Sequence, residues 1–290
     1  MSQHTVTVDS TDGVKLALHH LGTSAPGELP VMLLSHATGF HGHCWLPVAE
    51  HLKNTFDCWA LDYRGYGDST VPHDWQVRWN AYGEDALAVV EYLASNVTTA
   101  PLWAAGHSMG GATLMMAALH RPDLFAGIVA FEPIVFPQTG FRPADAPPNP
   151  LAAATRKRRA EFASTDEAIA NFSSKPPMSA FHPDALHAYV EYGFAPTDHG
   201  TVTLKCAPEH EARTYDTGGI HETWNSLPDL HVPTWVIGST PQQFQPSSIA
   251  EQIASLLPQG HYEEWPEVSH FGPLEDPARF AAFLASRLAI

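Results

Sequence analysis

The 290-residue sequence is poor in basic residues, and this shortage excludes two classes of partner. It contains 15 Lys and Arg against 31 Asp and Glu, which gives a formal net charge of −16 with the histidines neutral. A protein that follows a phosphate backbone needs a stripe of Lys and Arg, and one that docks on anionic lipid needs a basic patch. The sequence therefore predicts neither nucleic acid nor a membrane as a partner, and it leaves the oligomeric state open.

Cysteine pairs and targeting signals are also missing. Cys44, Cys58 and Cys206 are odd in number and form no CxxC spacing, so we expect neither a disulfide framework nor a zinc ribbon. The N-terminal residues have neither the basic start nor the apolar run of a signal peptide. The range 101–120 has no charged residue, but three glycines interrupt it, which disfavours a bilayer span. These absences favour a cytoplasmic location.

Short apolar runs alternate with helical patterns along the chain, which is typical of an α/β protein with a parallel sheet. We predict an antiparallel pair at His4–Ser10 and Val14–Leu21, turned at Asp12 and Gly13, strands at Val31–Ser35, Phe56–Leu61, Leu102–Ala105, Ile128–Phe131, Thr234–Ile237 and His261–Trp265, and helices at Asp85–Ala94 and from about Pro277.

The composition changes near Pro137 and changes back near Val232. Five prolines break up a linker-like stretch, namely Pro137, Pro143, Pro147, Pro148 and Pro150. Helical segments are expected after it at Ala153–Phe162, Thr165–Phe172 and Pro183–Tyr192. We therefore predict a core formed by residues 1–136 and 229–290, with an inserted unit at residues 137–228.

A candidate nucleophile lies between a predicted strand and a predicted helix. Residues 106–110 read Gly-His-Ser-Met-Gly and fit the G-x-S-x-G pattern, with Ser108 at its centre. Glycines two residues on either side remove side chains that would clash in a sharp turn, and the following helix N-terminus favours negative charge. The pattern predicts a serine whose Oγ is raised above the sheet.

With three further motifs, this turn resembles those of the α/β-hydrolase fold family. The motifs are the Ser35–Phe40 loop followed by Trp45, the D-x-R-G-x-G-x-S turn at Asp62–Ser69, and the Val268–Phe271 loop. They occur in the family's order and cover the core from end to end. The resemblance implies a mostly parallel eight-stranded sheet flanked by helices, with a helical cap inserted after strand six. No G-x-G-x-x-G follows the first strand, so we expect no dinucleotide, and no other cofactor or metal is expected.

A serine hydroxyl needs a base within hydrogen-bond reach, and His270 stands in the loop where the family carries that base. The commonest family pattern places an Asp after strand seven, but Gly238–Gln243 contains no acid. Glu132 follows strand six, where some lactonases and dehalogenases of the family carry their acid. We predict that Glu132 orients His270. Glu263, Glu264 and Asp229 remain as alternatives.

The resemblance also implies an oxyanion hole formed by two backbone N–H groups. One is that of Met109, the residue after the nucleophile. The other comes from the loop after strand three, where Thr38 is the first choice and Ala37 the alternative. The Thr38 hydroxyl is a further candidate donor.

Other features of the sequence have simpler interpretations. Aromatic residues in the loops and the cap either frame a substrate pocket or belong to the core, and these are Phe40, Trp45, Phe136, Phe181, Tyr189, Tyr192 and Phe271. His107 is expected to pack, and Asp62 and Arg64 to brace the loop after strand four. The cluster of His36, His41, His43 and Cys44 lies in the oxyanion loop and does not predict a metal site. The basic run Arg156–Arg159 is interpreted as a solvated helix face.

These features favour a serine hydrolase acting on a small, mainly apolar ester or lactone. Hydrolysis of a C–C bond or perhydrolysis uses the same three residues and is a second hypothesis. A ligand-binding protein with slow turnover is a third. A serine nucleophile argues against dehalogenase and epoxide hydrolase chemistry, because those reactions form an ester on a carboxylate.

Overall fold

The computed structural model describes residues 4–22, 28–137 and 149–287. The strands are β1 His4–Asp9, β2 Lys15–His20, β3 Val31–Ser35, β4 Asp57–Leu61, β5 Leu102–His107, β6 Phe125–Phe131, β7 Glu161–Phe162, β8 Phe194–Pro196, β9 Val202–Leu204, β10 Thr234–Gly238 and β11 Gly260–Glu264. The α-helices are α1 Leu46–Leu52, α2 Trp79–Asn96, α3 Met109–His120, α4 Pro150–Thr155, α5 Thr165–Ser173, α6 Pro183–Gly193, α7 Pro208–Asp216, α8 Thr223–Ser226, α9 Ala250–Leu256, α10 Gly272–Glu275 and α11 Pro277–Arg287. No helix within the described ranges is both long enough and apolar enough to cross a membrane.

The main sheet has eight strands in the order β1-β2-β4-β3-β5-β6-β10-β11. The first two pairings, β1 with β2 and β2 with β4, are antiparallel, and every later neighbour is parallel. Strands β3, β4 and β10 are buried along their whole length, as expected of parallel strands covered on both faces. The predicted mostly parallel eight-stranded sheet is confirmed.

Helices cover both faces of this sheet, and the alternation of side chains along a strand divides the core in two. Leu33 packs with buried residues of α2, α3 and α9 on one face. Met32 and Leu34 pack with α1 and α11 on the other. Successive side chains of β3 point to opposite faces of the sheet, and helices cover both faces. Every position of β3 is therefore buried, which explains its continuous apolar run.

Helix α2 begins at Trp79, six residues before the predicted start. Asn80 and Gly83 have low helix propensity, but Trp79 and Tyr82 are buried in the core and hold the first turns in place. Gly83 is required there, since a Cβ on it would lie 2.8 Å from Met116 Sδ of α3. Close packing of α2 against α3 therefore overrides the local propensity.

Between β6 and β10 the chain forms helices α4 to α8 and also a small antiparallel sheet in the order β7-β9-β8. The predicted helix over Ala153–Phe162 is wrong, because α4 ends at Thr155 and Glu161–Phe162 pairs with β9. Phe162 is drawn into the core of this unit, where its ring lies 5.6 Å from that of Phe172. Pro143, Pro147 and Pro148 lie outside the described residues, and the limits 137–228 stay a prediction.

A buried ion pair fixes the loop after β4 to helix α2. The side chains of Arg64 and Asp85 are both 0% exposed, and two side-chain hydrogen bonds join them, Nε to Oδ2 at 2.8 Å and Nη2 to Oδ1 at 2.7 Å. Arg64 Nη1 also donates to Asp12 Oδ2 at 2.9 Å, in the turn between β1 and β2. The pair therefore ties three separate segments of the core together.

Replacing Asp85 by Ala leaves the Arg64 charge buried without its main partner. We expect the free energy of unfolding to fall by about 3–5 kcal/mol, as for other broken buried pairs. Urea unfolding followed by circular dichroism measures this. Asp123→Ala, which removes an exposed partner of Arg121, is the control and should change little. Equal effects of the two substitutions would show that Arg64 and Asp85 do not brace the core.

Candidate active site

Ser108 lies in the sharp turn between β5 and α3. Its backbone adopts φ 56° and ψ −113°, a left-handed conformation that costs about 1–3 kcal/mol for a residue with a side chain. The Ser108 N–H donates to Phe131 O at 2.9 Å, and the Ser108 carbonyl accepts from Ile134 N at 3.2 Å. These bonds to the last residue of β6 and to the chain after it hold the strained turn in place.

The glycines of the motif allow the turn to pack closely. A Cβ on Gly106 would lie 2.5 Å from the carbonyl carbon of Gly110, and a Cβ on Gly110 would overlap Ser35 O. Because Ser35 ends β3, this close packing brings the turn against the start of the oxyanion loop. The glycine pattern thus positions two parts of the site at once.

Glu132 and His270 come together at the carboxyl edge of the sheet. Glu132 directly follows β6, has φ 43° and is fully buried. His270 Nδ1 donates to Glu132 Oε2 at 2.6 Å. The structure therefore joins the predicted base to the predicted acid, across 138 residues of chain.

Ser239 is a second partner of Glu132 that the sequence reasoning missed. Its N–H and its hydroxyl both donate to Glu132 Oε1, at 2.8 Å and 2.5 Å. Ser239 directly follows β10, and in the parallel pairing Phe131 lies opposite Ile237. Neighbouring strand ends in a parallel sheet meet at one edge, so this adjacency was available as a signal. Ser239 lies in the loop where the commonest family pattern has its acid.

The surroundings of Glu132 favour its charged form. Burial acts to raise its pKa, but the hydrogen bonds from His270 and Ser239 outweigh burial, and the pKa is lowered from its ordinary value. Because an ionised carboxylate only accepts hydrogen bonds, the proton of the neutral His270 ring lies on Nδ1. Nε2 is then free to accept a proton.

The three carboxylates that were alternatives to Glu132 do not bond to His270 in the described part of the chain. Glu263, Glu264 and Asp229 are exposed, and among the described residues none of them bonds to His270. Glu263 instead accepts a hydrogen bond from Trp265 Nε1 at 2.8 Å.

His107 packs against His270. The rings of His107 and His270 are 4.9 Å apart, and a 2.7 Å hydrogen bond joins His107 Nε2 to His270 O. Burial holds the pKa of His107 well below its ordinary value, so His107 packs as a neutral ring and supports the loop that carries His270.

In the ranges that the structure describes, Ser108 Oγ and His270 share no hydrogen bond. Such bonds often tighten only when substrate is bound.

Thr38 and Met109 lie side by side. Both are buried, and the Thr38 hydroxyl donates to Met109 Sδ at 3.6 Å. Thr38 O accepts from Tyr215 OH at 3.5 Å, and Gly39 has φ 86°, which turns the loop back towards the cap. The two predicted oxyanion donors therefore belong to adjacent segments.

Histidine rings in the oxyanion loop have structural partners. His36 Nε2 accepts from Tyr63 N at 3.1 Å, so Nδ1 carries the proton and donates to Ala37 O at 2.8 Å. Burial lowers the pKa of His36 to about 4, and the ring is neutral. His41 Nε2 lies 3.1 Å from Tyr189 O in the cap. These rings fix the loop that carries Thr38.

One group of side chains within the described ranges has a spacing that would suit a metal ion. His19, Asp62 and Asp68 each place a ligand atom within 4.8 Å of the others. Asp62 already accepts from His19 Nε2 at 2.9 Å and from Gly42 N at 2.6 Å. Asp68 pairs with Lys205 Nζ at 2.6 Å. These contacts give the group a bracing role in the loop after β4.

A cavity of about 420 Å³ lies beside the oxyanion loop. Of the predicted pocket aromatics, Phe40, Tyr189 and Phe271 line it. Phe181 stands behind them, with its ring 5.9 Å from Phe40 and 5.4 Å from Phe271. Phe271 directly follows His270 in the chain, and among the described residues neither His270 nor Ser108 lines the cavity itself.

The other three predicted pocket aromatics do not line this cavity. Trp45 is buried in the core, 5.7 Å from the ring of Phe280. Tyr192 stacks on His43 at 4.1 Å, and Phe136 packs beside Gly219. A larger groove of about 630 Å³ between α2, α3 and α8 is lined by the alternative acid Asp229 but by none of the other predicted site residues.

Comparison with known proteins places this geometry in context. A family model described as "Alpha/beta hydrolase family" matches residues 32–283. Lipase LipV of Mycobacterium tuberculosis is 33% identical over 122 residues, 42% of this chain and 43% of the lipase. Monoglyceride lipase of Mus musculus is 32% identical over 110 residues, 36% of this chain and 35% of that protein. The aligned region thus spans less than half of either relative.

Solved structures agree on the fold. An E-2-(acetamidomethylene)succinate hydrolase superposes with a TM-score of 0.76 at 20% identity, covering 99% of this chain and 100% of that chain. The enol-lactonase from Burkholderia xenovorans gives a TM-score of 0.71 at 17% identity, with 99% and 100% coverage. At these identities the likeness concerns the fold, and it confirms the fold that the motifs implied.

The lowered pKa of Glu132 makes a prediction about stability and pH. Its carboxylate contributes stability that is present above the ordinary Glu pKa of about 4.3 and is lost as the pH falls through the lower folded value. The difference in unfolding free energy between the wild type and Glu132→Gln should therefore be largest near pH 7 and shrink on acidification. Urea unfolding between pH 7 and pH 3 measures it.

Glu264→Gln is the control, because this side chain is exposed on β11. A difference for Glu132→Gln that grows as the pH falls would contradict a carboxylate held in its charged form.

Proposed function

The chain belongs to the alpha/beta hydrolase family, and we propose that it is a serine hydrolase that cleaves a carboxylic ester or lactone through an acyl-enzyme on Ser108. The observation that carries this proposal is the 2.6 Å bond between His270 Nδ1 and Glu132 Oε2, in the loop that follows the last strand. A histidine oriented in this way by a carboxylate is the base that a serine hydroxyl needs in order to act as a nucleophile.

In the first step His270 Nε2 takes the Ser108 proton as Oγ attacks the substrate carbonyl. The imidazolium that forms is stabilised by the buried charge of Glu132, which stays ionised. Ser239 assists by holding Glu132 Oε1 with two hydrogen bonds, so the carboxylate does not have to reorient during the step.

The tetrahedral intermediate places its oxyanion at the N-terminus of α3. The N–H of Met109 and the N–H of Thr38 donate to it, and the helix dipole adds to this stabilisation. The bond from Thr38 to Met109 and the bond from Tyr215 to Thr38 hold these segments before substrate arrives. Preorganised donors of this kind lower the barrier without a cost in reorganisation.

His270 then protonates the leaving alkoxide, and the acyl group remains on Ser108. A water molecule that gives its proton to the same nitrogen then attacks the acyl-enzyme. As the bond from the acyl carbon to Ser108 Oγ breaks, His270 returns this proton to Oγ and the acid is released. With a lactone the leaving alcohol stays attached to the acyl chain, so the product is a single hydroxy acid.

Relatives named as lipases and a structural neighbour named as an enol-lactonase support a small-molecule ester or lactone as substrate. The aromatic lining of the cavity suits an apolar chain. A cytoplasmic location accords with Cys44, Cys58 and Cys206, which are free thiols buried in the fold.

Replacing Ser108 by Ala removes the nucleophile and should lower kcat/KM for ester hydrolysis by about 10⁴-fold or more. Initial rates on a series of esters of graded acyl length, together with simple lactones, measure this effect. Ser255→Ala, on the exposed side of α9, is the matched control and should keep full activity.

Circular dichroism of both variants checks that the fold is intact. Ester hydrolysis retained by folded Ser108→Ala protein would overturn the proposal.

A further inference from the structure

The cap carries an arginine that reaches the wall of the cavity. Arg158 belongs to the basic run Arg156–Arg159, which follows the end of α4 at Thr155 and so is not the helix face that the sequence predicted. For Arg158 the predicted exposure to solvent is wrong as well. Arg156 pairs with Asp216, and Arg159 with Glu167, near the protein surface. Arg158 lines the same cavity as Thr38, and its side chain is 21% exposed.

Two cap residues fix the position of this guanidinium. Arg158 Nη1 donates to Glu211 Oε2 at 2.6 Å, and Nη2 donates to Tyr189 OH at 2.7 Å. The side chain of Glu211 is 6% exposed, and Tyr189 is buried. A guanidinium has five N–H donors, and these two bonds within the described part of the chain leave others for a ligand.

The same ion pair is set against the oxyanion loop. A Cβ on Gly39 would lie 2.6 Å from Glu211 Oε1, so the carboxylate touches the residue next to Thr38. The position of Arg158 relative to the oxyanion donors is therefore fixed by direct contacts. A group bound to Arg158 would therefore be held in a fixed position relative to Thr38.

The charge of the cavity differs from that of the protein. Among the described residues that line it, the charged groups are Arg158, Lys175 and Glu211, which together carry one net positive charge. The chain as a whole has a formal charge of −16. The rest of the wall is mainly apolar, with Phe40, Phe172, Met178 and Phe271. An apolar chamber with a cation fixed by hydrogen bonds suits a short chain with an anionic end.

We propose that this cavity binds the acyl part of an ester or lactone that also carries a free carboxylate, and that Arg158 holds that carboxylate. This inference rests on the proposed hydrolase function and names its substrate class. A planar carboxylate matches the donor fork of a guanidinium, and Lys175 adds a second positive charge nearby. Glu211 serves as a positioning residue, because it orients Arg158 and touches the oxyanion loop.

Two esters of similar size test the proposal, monoethyl adipate with a free carboxylate and ethyl heptanoate without one. The wild type should show a higher kcat/KM for monoethyl adipate, although its net charge repels an anion. In Arg158→Gln the ratio of the two kcat/KM values should fall by about 10- to 100-fold, because charge-assisted hydrogen bonds are lost. Arg158→Lys should keep part of the preference, and Arg159→Gln should keep all of it.

Because Arg158→Gln leaves Glu211 buried without its partner, the double variant Arg158→Gln with Glu211→Gln is measured as well. Equal losses for both esters would mean that Arg158 only supports the fold, and would overturn the proposal. A wild type that hydrolyses ethyl heptanoate better than monoethyl adipate would also overturn it, while leaving the serine hydrolase proposal intact.

A binding measurement separates the two proposals without turnover. Calorimetry should show that Ser108→Ala binds monoethyl adipate about 10- to 100-fold more tightly than the same variant carrying Arg158→Gln and Glu211→Gln. Equal affinities would count against the carboxylate site even if no ester were hydrolysed.

Discussion

The hydrogen bond between His270 Nδ1 and Glu132 Oε2 is the interaction on which the rest of the site depends. It joins the end of β6 to the loop after β11, two segments that lie at the same edge of the sheet with β10 between them. Glu132 tolerates full burial because Ser239 and His270 satisfy its oxygens. The bond in turn fixes which nitrogen of His270 is free to accept a proton. Without this bond, the orientation of the His270 ring would be undefined.

Strained backbone conformations, held by the sheet, position Ser108 and Glu132. Ser108 and Glu132 both have positive φ, and each directly follows a strand of the sheet. The sheet holds both conformations, since the Ser108 N–H donates to Phe131 O and the Glu132 N–H donates to Ile237 O at 2.8 Å. Strain of this kind persists only where the surroundings over-determine it. The parallel core is therefore what places Ser108 and Glu132, both of them buried, at one edge of the sheet.

The sequence was sufficient for features that depend on local pattern. Buried strands such as β3 and β10 are continuous apolar runs, and the motif around Ser108 requires its glycines at fixed spacing. It was not sufficient where a distant segment decides the outcome. The start of α2 depends on the packing of Gly83 against Met116, and the burial of Arg158 depends on Glu211, 53 residues along the chain. A basic run alone does not indicate which of its members will turn inward.

The central claim is that Glu132 and His270 activate Ser108 as a nucleophile, and covalent labelling tests it most directly. The protein is treated with an active-site phosphonate, and the modified peptide and its rate of formation are measured by mass spectrometry. The account predicts one adduct, on Ser108, that forms about 100-fold or more slowly in Glu132→Gln and at the wild-type rate in Glu264→Gln. Labelling of another residue, or equal rates in the wild type and Glu132→Gln, would contradict it.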